Sequence, residues 1–289
     1  MTEHKEFKSF YKEVGGNEGN KCHYSTRLDT YGCGCGFNCD YCYARGLLDF
    51  RKYWHPENPS VADIEKVKKT IENLPKYMPA IRLGGMTDCF QPIEEKYENT
   101  YHAIEALNKK RQPYLIVTKS DLVASDKYID VMDKNLAHIQ ITITCFNDDK
   151  YKELNYEHAP VPSKRIKAAE KLQEHGFDVA IRLSPLIDEF IDYDRLNHIE
   201  CDKLLVEFLR LNKKMMDRLR GKIDFSKYTI REHNYLHMPL ADKIELLNKI
   251  YGFKSITVCE DESTAYEYWK KYYNPNPNDC CNLRKNMLL

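Results

Sequence analysis

The chain has 289 residues, 42% of them hydrophobic and 30% charged, and its Lys+Arg and Asp+Glu counts are equal, giving a formal net charge of zero. Such a chain is one large domain or two small ones, able to bury a core without disulfides. Its balance excludes a global field that would draw it onto nucleic acid or an anionic membrane. No apolar run approaches the ~20 residues of a membrane span, and the polar stretch Met1–Glu13 lacks a secretory h-region, so the expected location is cytoplasmic, with no membrane partner.

In chain order, the first 24 residues read as an N-terminal segment. A β-rich run, Arg27–Tyr31, follows, and an apolar stripe at helical spacing (Val61, Ile64, Val67, Ile71, Leu74) comes next. The run Ala80–Leu83 precedes a second stripe, Tyr97, Tyr101, Ile104 and Leu107. Tyr114–Thr118 and His138–Thr144 are the next two strands, a third stripe (Ile166, Ala169, Leu172) follows them, and Val179–Ser184 and Lys203–Arg210 complete the series. Strands alternating with helices predict a mostly parallel sheet. Ile139, Ile141 and Ile143 share one strand face, and Gln140, Thr142 and Thr144 the other. Helices packed on both faces would require continuous hydrophobicity. One apolar and one polar face instead favour a partial (β/α)6 TIM-type barrel with a wet lumen over a doubly wound sheet. The expected domains are residues 1–24, a core barrel over 25–212 and a C-terminal extension over 213–289, packed on the barrel. The stretch Asp202–Lys222 is rich in Lys and Arg, read as a solvated helix face or as a phosphate contact.

Eleven cysteines without a secretory context are expected as free thiols or metal ligands. Cys35, Cys39 and Cys42 follow C-x3-C-x2-C in a loop after the first strand, with glycines at 32, 34 and 36 that relieve Cβ clashes. Thiolates are the ligands that iron–sulfur clusters select. Three of them on a four-iron cluster leave one iron open for S-adenosylmethionine (SAM). The alternative is structural zinc with Cys33 as a fourth thiolate, but zinc ligands usually come as two knuckles with a longer spacer. Cys259, Cys280 and Cys281 read as reduced structural thiols, because the C-terminal region supplies no fourth ligand.

The motif, with an aromatic before its last cysteine, resembles the radical SAM superfamily. The longer string Cys-Asp-Tyr-Cys-Tyr-Ala-Arg (39–45) resembles its spore photoproduct lyase-related branch, the DNA repair photolyase-like proteins. So do Gly-Gly-Met-Thr-Asp-Cys-Phe-Gln-Pro-Ile-Glu (84–94), Val-Thr-Lys-Ser (117–120), Glu-His-Ala-Pro-Val-Pro-Ser-Lys-Arg (157–165) and Ile-Arg-Leu-Ser-Pro-Leu-Ile (181–187). The resemblance implies a 4Fe–4S cluster on Cys35, Cys39 and Cys42 that reductively cleaves SAM to a 5′-deoxyadenosyl radical, which then abstracts hydrogen. It implies SAM contacts at Tyr41 (adenine), Gly84 and Gly85 (amino group), Thr87 and Asp88 (methionyl moiety), Lys119 (carboxylate), Thr142 (ribose) and Ser184 (adenosine). It also implies a reductant such as flavodoxin or ferredoxin. The implied substrate is a nucleobase or DNA lesion, with C–C scission as the model reaction. The alternatives are radical modification of a small molecule, peptide or tRNA base, and a non-catalytic iron–sulfur protein. The related lyases quench the substrate radical with a cysteine near the end of the second strand, and Cys89 is the nearest candidate here. Arg82, Arg182 and Glu207 are expected as a charged layer inside the barrel.

Overall fold

The computed structural model describes residues 6–11, 21–76, 78–154 and 158–283. Its first part holds β1 (Phe10–Tyr11), β2 (Arg27–Leu28), β3 (Tyr31–Gly32), α1 (Tyr43–Phe50), β4 (Ser60–Val61), α2 (Ile64–Glu72), β5 (Ile81–Leu83), α3 (Glu94–Tyr97) and α4 (Asn99–Lys110). Then come β6 (Tyr114–Thr118), α5 (Asp126–Val131), β7 (Ala137–Thr142), α6 (Pro162–Glu174), β8 (Asp178–Leu186), α7 (Tyr193–Asn197), β9 (Lys203–Phe208) and α8 (Lys213–Leu219). The last part comprises β10 (Ile230–Glu232), β11 (Tyr235–His237), α9 (Leu240–Leu247), β12 (Ser255–Val258) and α10 (Ser263–Tyr268).

The helices start where their sequences provide for it. The Asp63 carboxylate accepts from the Glu65 and Lys66 N–H groups and caps α2, which buries Val67 and Ile71. Pro162, whose missing N–H costs nothing in a first turn, opens α6, which buries Ile166, Ala169 and Leu172. Among the described residues no helix is long and apolar enough to cross a membrane.

Eight strands form one sheet in the order β1-β2-β5-β6-β7-β8-β9-β12. Its pairings are parallel except that of β1 with β2. Ile139, Ile141, Ile181 and Leu183 join the main core with the apolar helix residues. On the other face Arg182 donates to Gln140 and pairs with Glu207, the expected charged layer. That face is concave: Tyr24, Ala80, Leu115, Leu205 and Cys259 meet there in a second apolar cluster. They come from both ends of the strand order, so the sheet curls around a lumen as an open barrel.

Three departures from the sequence expectations are physical. The run Arg27–Tyr31 breaks after Leu28, and Tyr31 and Gly32 pair instead with Val61 and Ser60. The break falls at Asp29, whose carboxylate binds the backbone of Gly85 and Met86. The stripe Tyr97–Leu107 is cut at Glu98, whose φ of 54° ends α3 and precedes α4. The apolar run Ser255–Val258, assigned to the extension, is the sheet's last strand, parallel to β9.

Candidate active site

The parallel strands deliver their C-terminal ends to one mouth, where barrel enzymes collect their chemistry. The cysteine loop lies between β3 and α1. Two backbone turns shape it, with Asn38 N–H donating to Cys35 O at 3.0 Å and Cys42 N–H to Cys39 O at 3.2 Å. The Gly36 N–H donates to Gln91 Oε1 at 2.8 Å. Gly34 has a φ of +147°, and a Cβ there would lie 2.3 Å from the His55 carbonyl, so the position requires glycine. Cys42 ends the loop as the N-cap of α1, its Sγ accepting from the Arg45 N–H. Burial pushes the Cys35 and Cys39 thiols up, while the Lys119 ammonium draws Cys39 back down. Cys33 lies apart from this set: its carbonyl accepts from His55 N–H, and its thiol acts on Tyr11.

The turn after β5 is fixed from three sides. Gly84 has a φ of +82°, and a Cβ would meet the Val117 carbonyl at 2.8 Å. Gly85 donates its N–H to Asp29 at 2.7 Å and accepts at its carbonyl from the Tyr43 hydroxyl at 2.8 Å. Burial raises the Asp29 carboxyl to about 6, against the pull of the Met86 and Gly85 N–H groups. Thr87 donates to the Tyr31 carbonyl at 2.6 Å. Asp88 accepts from Phe90 N–H, Thr118 Oγ1 and Lys119 N–H, so both its oxygens are spent clamping this turn to the end of β6.

That clamp sets Lys119. Its Nζ stands 5.6 Å from the centre of the Tyr41 ring. Burial opposes the ammonium, yet Tyr41, Cys39 and Asp88 together hold its pKa above the ordinary lysine value. The Tyr41 hydroxyl lies 3.2 Å from Thr144 Oγ1. Arg165, 1% exposed, reaches from α6 to the Thr142 carbonyl at 3.3 Å. Its charge acts on both Cys39 and Tyr41. The structure thus brings together Cys39, Cys42, Tyr41, Lys119 and Asp88, with Gly84, Gly85 and Thr87 in the adjoining turn. Thr142 ends β7 with its side chain buried, and Ser184 donates to Glu207 at 2.7 Å in the charged layer.

Cys89 turns another way. It is 1% exposed, and Thr100 Oγ1 of α4 donates to its carbonyl at 2.6 Å. Its thiol, pushed well up by burial, acts on Tyr128. Glu94, which accepts from Tyr31, Tyr128, Thr100 and Tyr101, is its neighbour on that side. The basic stretch also has a use at the mouth: Arg218 Nε donates to Asp40 O at 2.7 Å, and Lys222 pairs with the Asp40 carboxylate at 2.7 Å.

Sequence reasoning missed Asp29, Gln91 and Arg165 as site residues. Gln91 and Arg165 lie within the family-like strings 84–94 and 157–165, and that was their only signal. Asp29 had none, because its partner turn is 56 residues away.

The family model of the radical SAM superfamily matches residues 30–200. The chain belongs to that superfamily, whose enzymes use a 4Fe–4S cluster and SAM. An uncharacterized protein of Methanocaldococcus jannaschii is 29% identical over 167 residues, 56% of this chain and 60% of that protein. The chain thus spans only 60% of the length of that curated relative. Its fold is similar to that of a spore photoproduct lyase variant with bound AdoMet and dinucleoside spore photoproduct, at a TM-score of 0.60 and 16% identity, covering 80% of this chain and 74% of the other. SuiB of Streptococcus suis, bound to S-adenosylmethionine, is similar at a TM-score of 0.51 and 13% identity, covering 86% of this chain and 55% of that one.

The residues present fit the cluster. Three soft thiols sit on one tight loop. Beside the loop, Gln91 is fully buried, and its Nε2 has no hydrogen-bond partner, leaving an N–H donor beside the cysteine loop.

Proposed function

We propose that Cys35, Cys39 and Cys42 hold the 4Fe–4S cluster, and that SAM lies against Tyr41, Lys119 and the Gly84–Asp88 turn. The observation that carries this reading is the Lys119 ammonium, fixed between Tyr41, Cys39 and Asp88. It is a half-buried cation where a SAM carboxylate and an anionic cluster would both call for it. When bound, the cluster supplies the electron that breaks the S–C5′ bond of SAM. The chain's own residues do the rest. Asp29 and Asp88 hold the glycine turn rigid, and Thr144 orients Tyr41. Gly84 and Gly85 let the turn pass close to Val117 and Arg27, which sets its backbone toward SAM, with Thr87 anchoring the turn. Thr142 and Ser184 line the adenosine side, and Ser184 is oriented by Glu207. We leave Cys89 out of the proposal, because it is 1% exposed and nothing sets its thiol toward the SAM side of the turn. Anaerobic incubation with SAM and dithionite should release 5′-deoxyadenosine, and its absence from a fully loaded protein would sink the assignment.

For the substrate we propose a nucleobase within a damaged nucleic acid, processed by hydrogen abstraction and C–C scission. The support is the likeness to the spore photoproduct lyase fold and a lumen lined with arginines, onto which the charged layer opens. An oligonucleotide carrying a thymine-dimer lesion should raise 5′-deoxyadenosine output and return repaired thymines, whereas an undamaged strand should do neither. Equal output with both strands would favour a substrate of another class.

A further inference from the structure

The lumen gathers a second set of cysteines that the mouth does not use. Cys259 follows β12, and its Sγ lies 3.9 Å from Cys280 Sγ. Cys280 and Cys281 come from the C-terminal strap, which the Tyr24 hydroxyl holds by donating to Asp279 at 2.8 Å. Cys22, just before β2, packs against the same cluster. Three distant segments therefore bring four thiols to one chamber, and Cys22 is the fourth ligand that the C-terminal region by itself lacks.

The charges around the thiols are unbalanced. Arg27 and Arg82 stand directly opposite one another on β2 and β5, both toward the lumen. Like charges in that register repel. Glu207 pairs with Arg182, and Glu260 lies 4.0 Å from Arg210. Neither Arg27 nor Arg82 has an ion pair with a described carboxylate, and the Nε of each is buried without a hydrogen-bond partner. Both guanidinium groups act on Cys22. Arg182 Nη2 lies 3.9 Å from Cys259 Sγ. Glu260 and Asp29 act on Arg27, and Glu207 on Arg82, but the two buried Nε donors stay unanswered beside four neutral thiols. Four thiolates on a metal centre carry the compensating negative charge and accept the orphaned N–H donors.

We propose that Cys22, Cys259, Cys280 and Cys281 bind a second iron–sulfur cluster inside the barrel. Binding exchanges the four thiol protons for iron–sulfur bonds and releases the protons to solvent, and ferric iron supplied together with ferrous iron and sulfide sets the oxidation level of the cluster. Among the described residues no three such side chains close around a single ion, and this is as true of Cys35, Cys39 and Cys42 as of the lumen set. A cluster shares its thiolates among several iron atoms, so its four thiols need not converge on one ion.

The test uses the full chain, reconstituted anaerobically with ferrous and ferric iron and sulfide. The triple variant C35A/C39A/C42A, which lacks the mouth ligands, should keep about half of the wild-type iron and acid-labile sulfide and a visible thiolate-to-iron absorption. Adding C259S and C280S should remove that remainder. Should the combined variant not fold, C22S in the triple background, a change at the half-buried end of the set, should give a lowered iron content and an altered spectrum. No iron in the triple variant, zinc in place of iron, or a lumen set that oxidises to a disulfide instead of loading would each overturn the proposal, while leaving the mouth assignment intact. A triple variant indistinguishable from wild type would overturn the mouth assignment instead, so the two failures are distinct.

Discussion

The mouth and the lumen of this barrel are built in opposite ways. At the mouth the cysteine loop occupies consecutive residues 33–42, shaped by turns between near neighbours and by glycines that admit close backbone approach. In the lumen, Tyr24 reaches Asp279 across 255 residues and Arg182 reaches Cys259 across 77. Local construction makes the mouth readable and lets it form early, since short loops close at little entropic cost. The lumen exists only when the whole sheet has curled. A substitution at the mouth should therefore strike chemistry, and one in the lumen should strike stability.

The sharpest way to break that contrast is the mouth itself. Replacing Cys35, Cys39 and Cys42 by Ala should abolish 5′-deoxyadenosine release, read by chromatography, while thermal unfolding shifts little. Next is Lys119→Met, which removes a charge-assisted contact worth ~1.5–3 kcal/mol and should weaken SAM binding roughly tenfold or more. Its visible spectrum should stay that of wild type, and unchanged affinity in a titration would return Lys119 to a structural role.

In the charged layer, burial raises the Glu207 carboxyl, but Arg182 and Arg210 outweigh it and hold the group below its usual range. A depressed carboxylate stabilises the fold above its unfolded value of about 4.3 and loses that contribution as pH falls toward the folded one. Denaturation followed between about pH 5 and pH 2 should thus show a loss of stability that is smaller in Glu207→Gln than in wild type, the remainder belonging to depressed carboxylates such as Asp178. Cys89→Ala deletes a small buried group, and should cost about 1 kcal/mol of stability while leaving product identity and deuterium labelling alone. Altered labelling would restore Cys89 as a hydrogen donor. The smallest effect belongs to the strap. Tyr24→Phe strips one hydrogen bond from buried Asp279 and should cost about 1 kcal/mol in denaturant titration, with SAM cleavage unchanged.

Much of the barrel was legible because strands write their faces in alternation. Ile139 and Ile141 against Gln140 and Thr142 gave the curled, one-sided sheet before any coordinate. The cysteine loop was legible because its three cysteines are close in sequence. What escaped needed a partner far away in sequence. Asp29 interrupts a good strand pattern for the sake of Gly85 and Met86. Glu98 enters a left-handed turn that no local residue signals. Cys22 looks like a lone thiol until the strap returns to meet it. For Cys89 the sequence offers only adjacency to Asp88, which says nothing about which side of a loop a side chain takes.

The sulfur of Cys42 is both the end of the cysteine loop and the cap of α1, accepting the Arg45 N–H at 3.4 Å. An amide aimed at that sulfur favours the more negative state of whatever it holds, because the proton end of the peptide dipole faces it. In the proposed site the helix would be a fixed electrical bias on the cluster, tuning how readily an electron arrives. The coupling would also run backward, since negative charge gathering on its cap would grip the first turn of α1 harder. Electron arrival would then leave a mechanical echo in the order of a single helical turn.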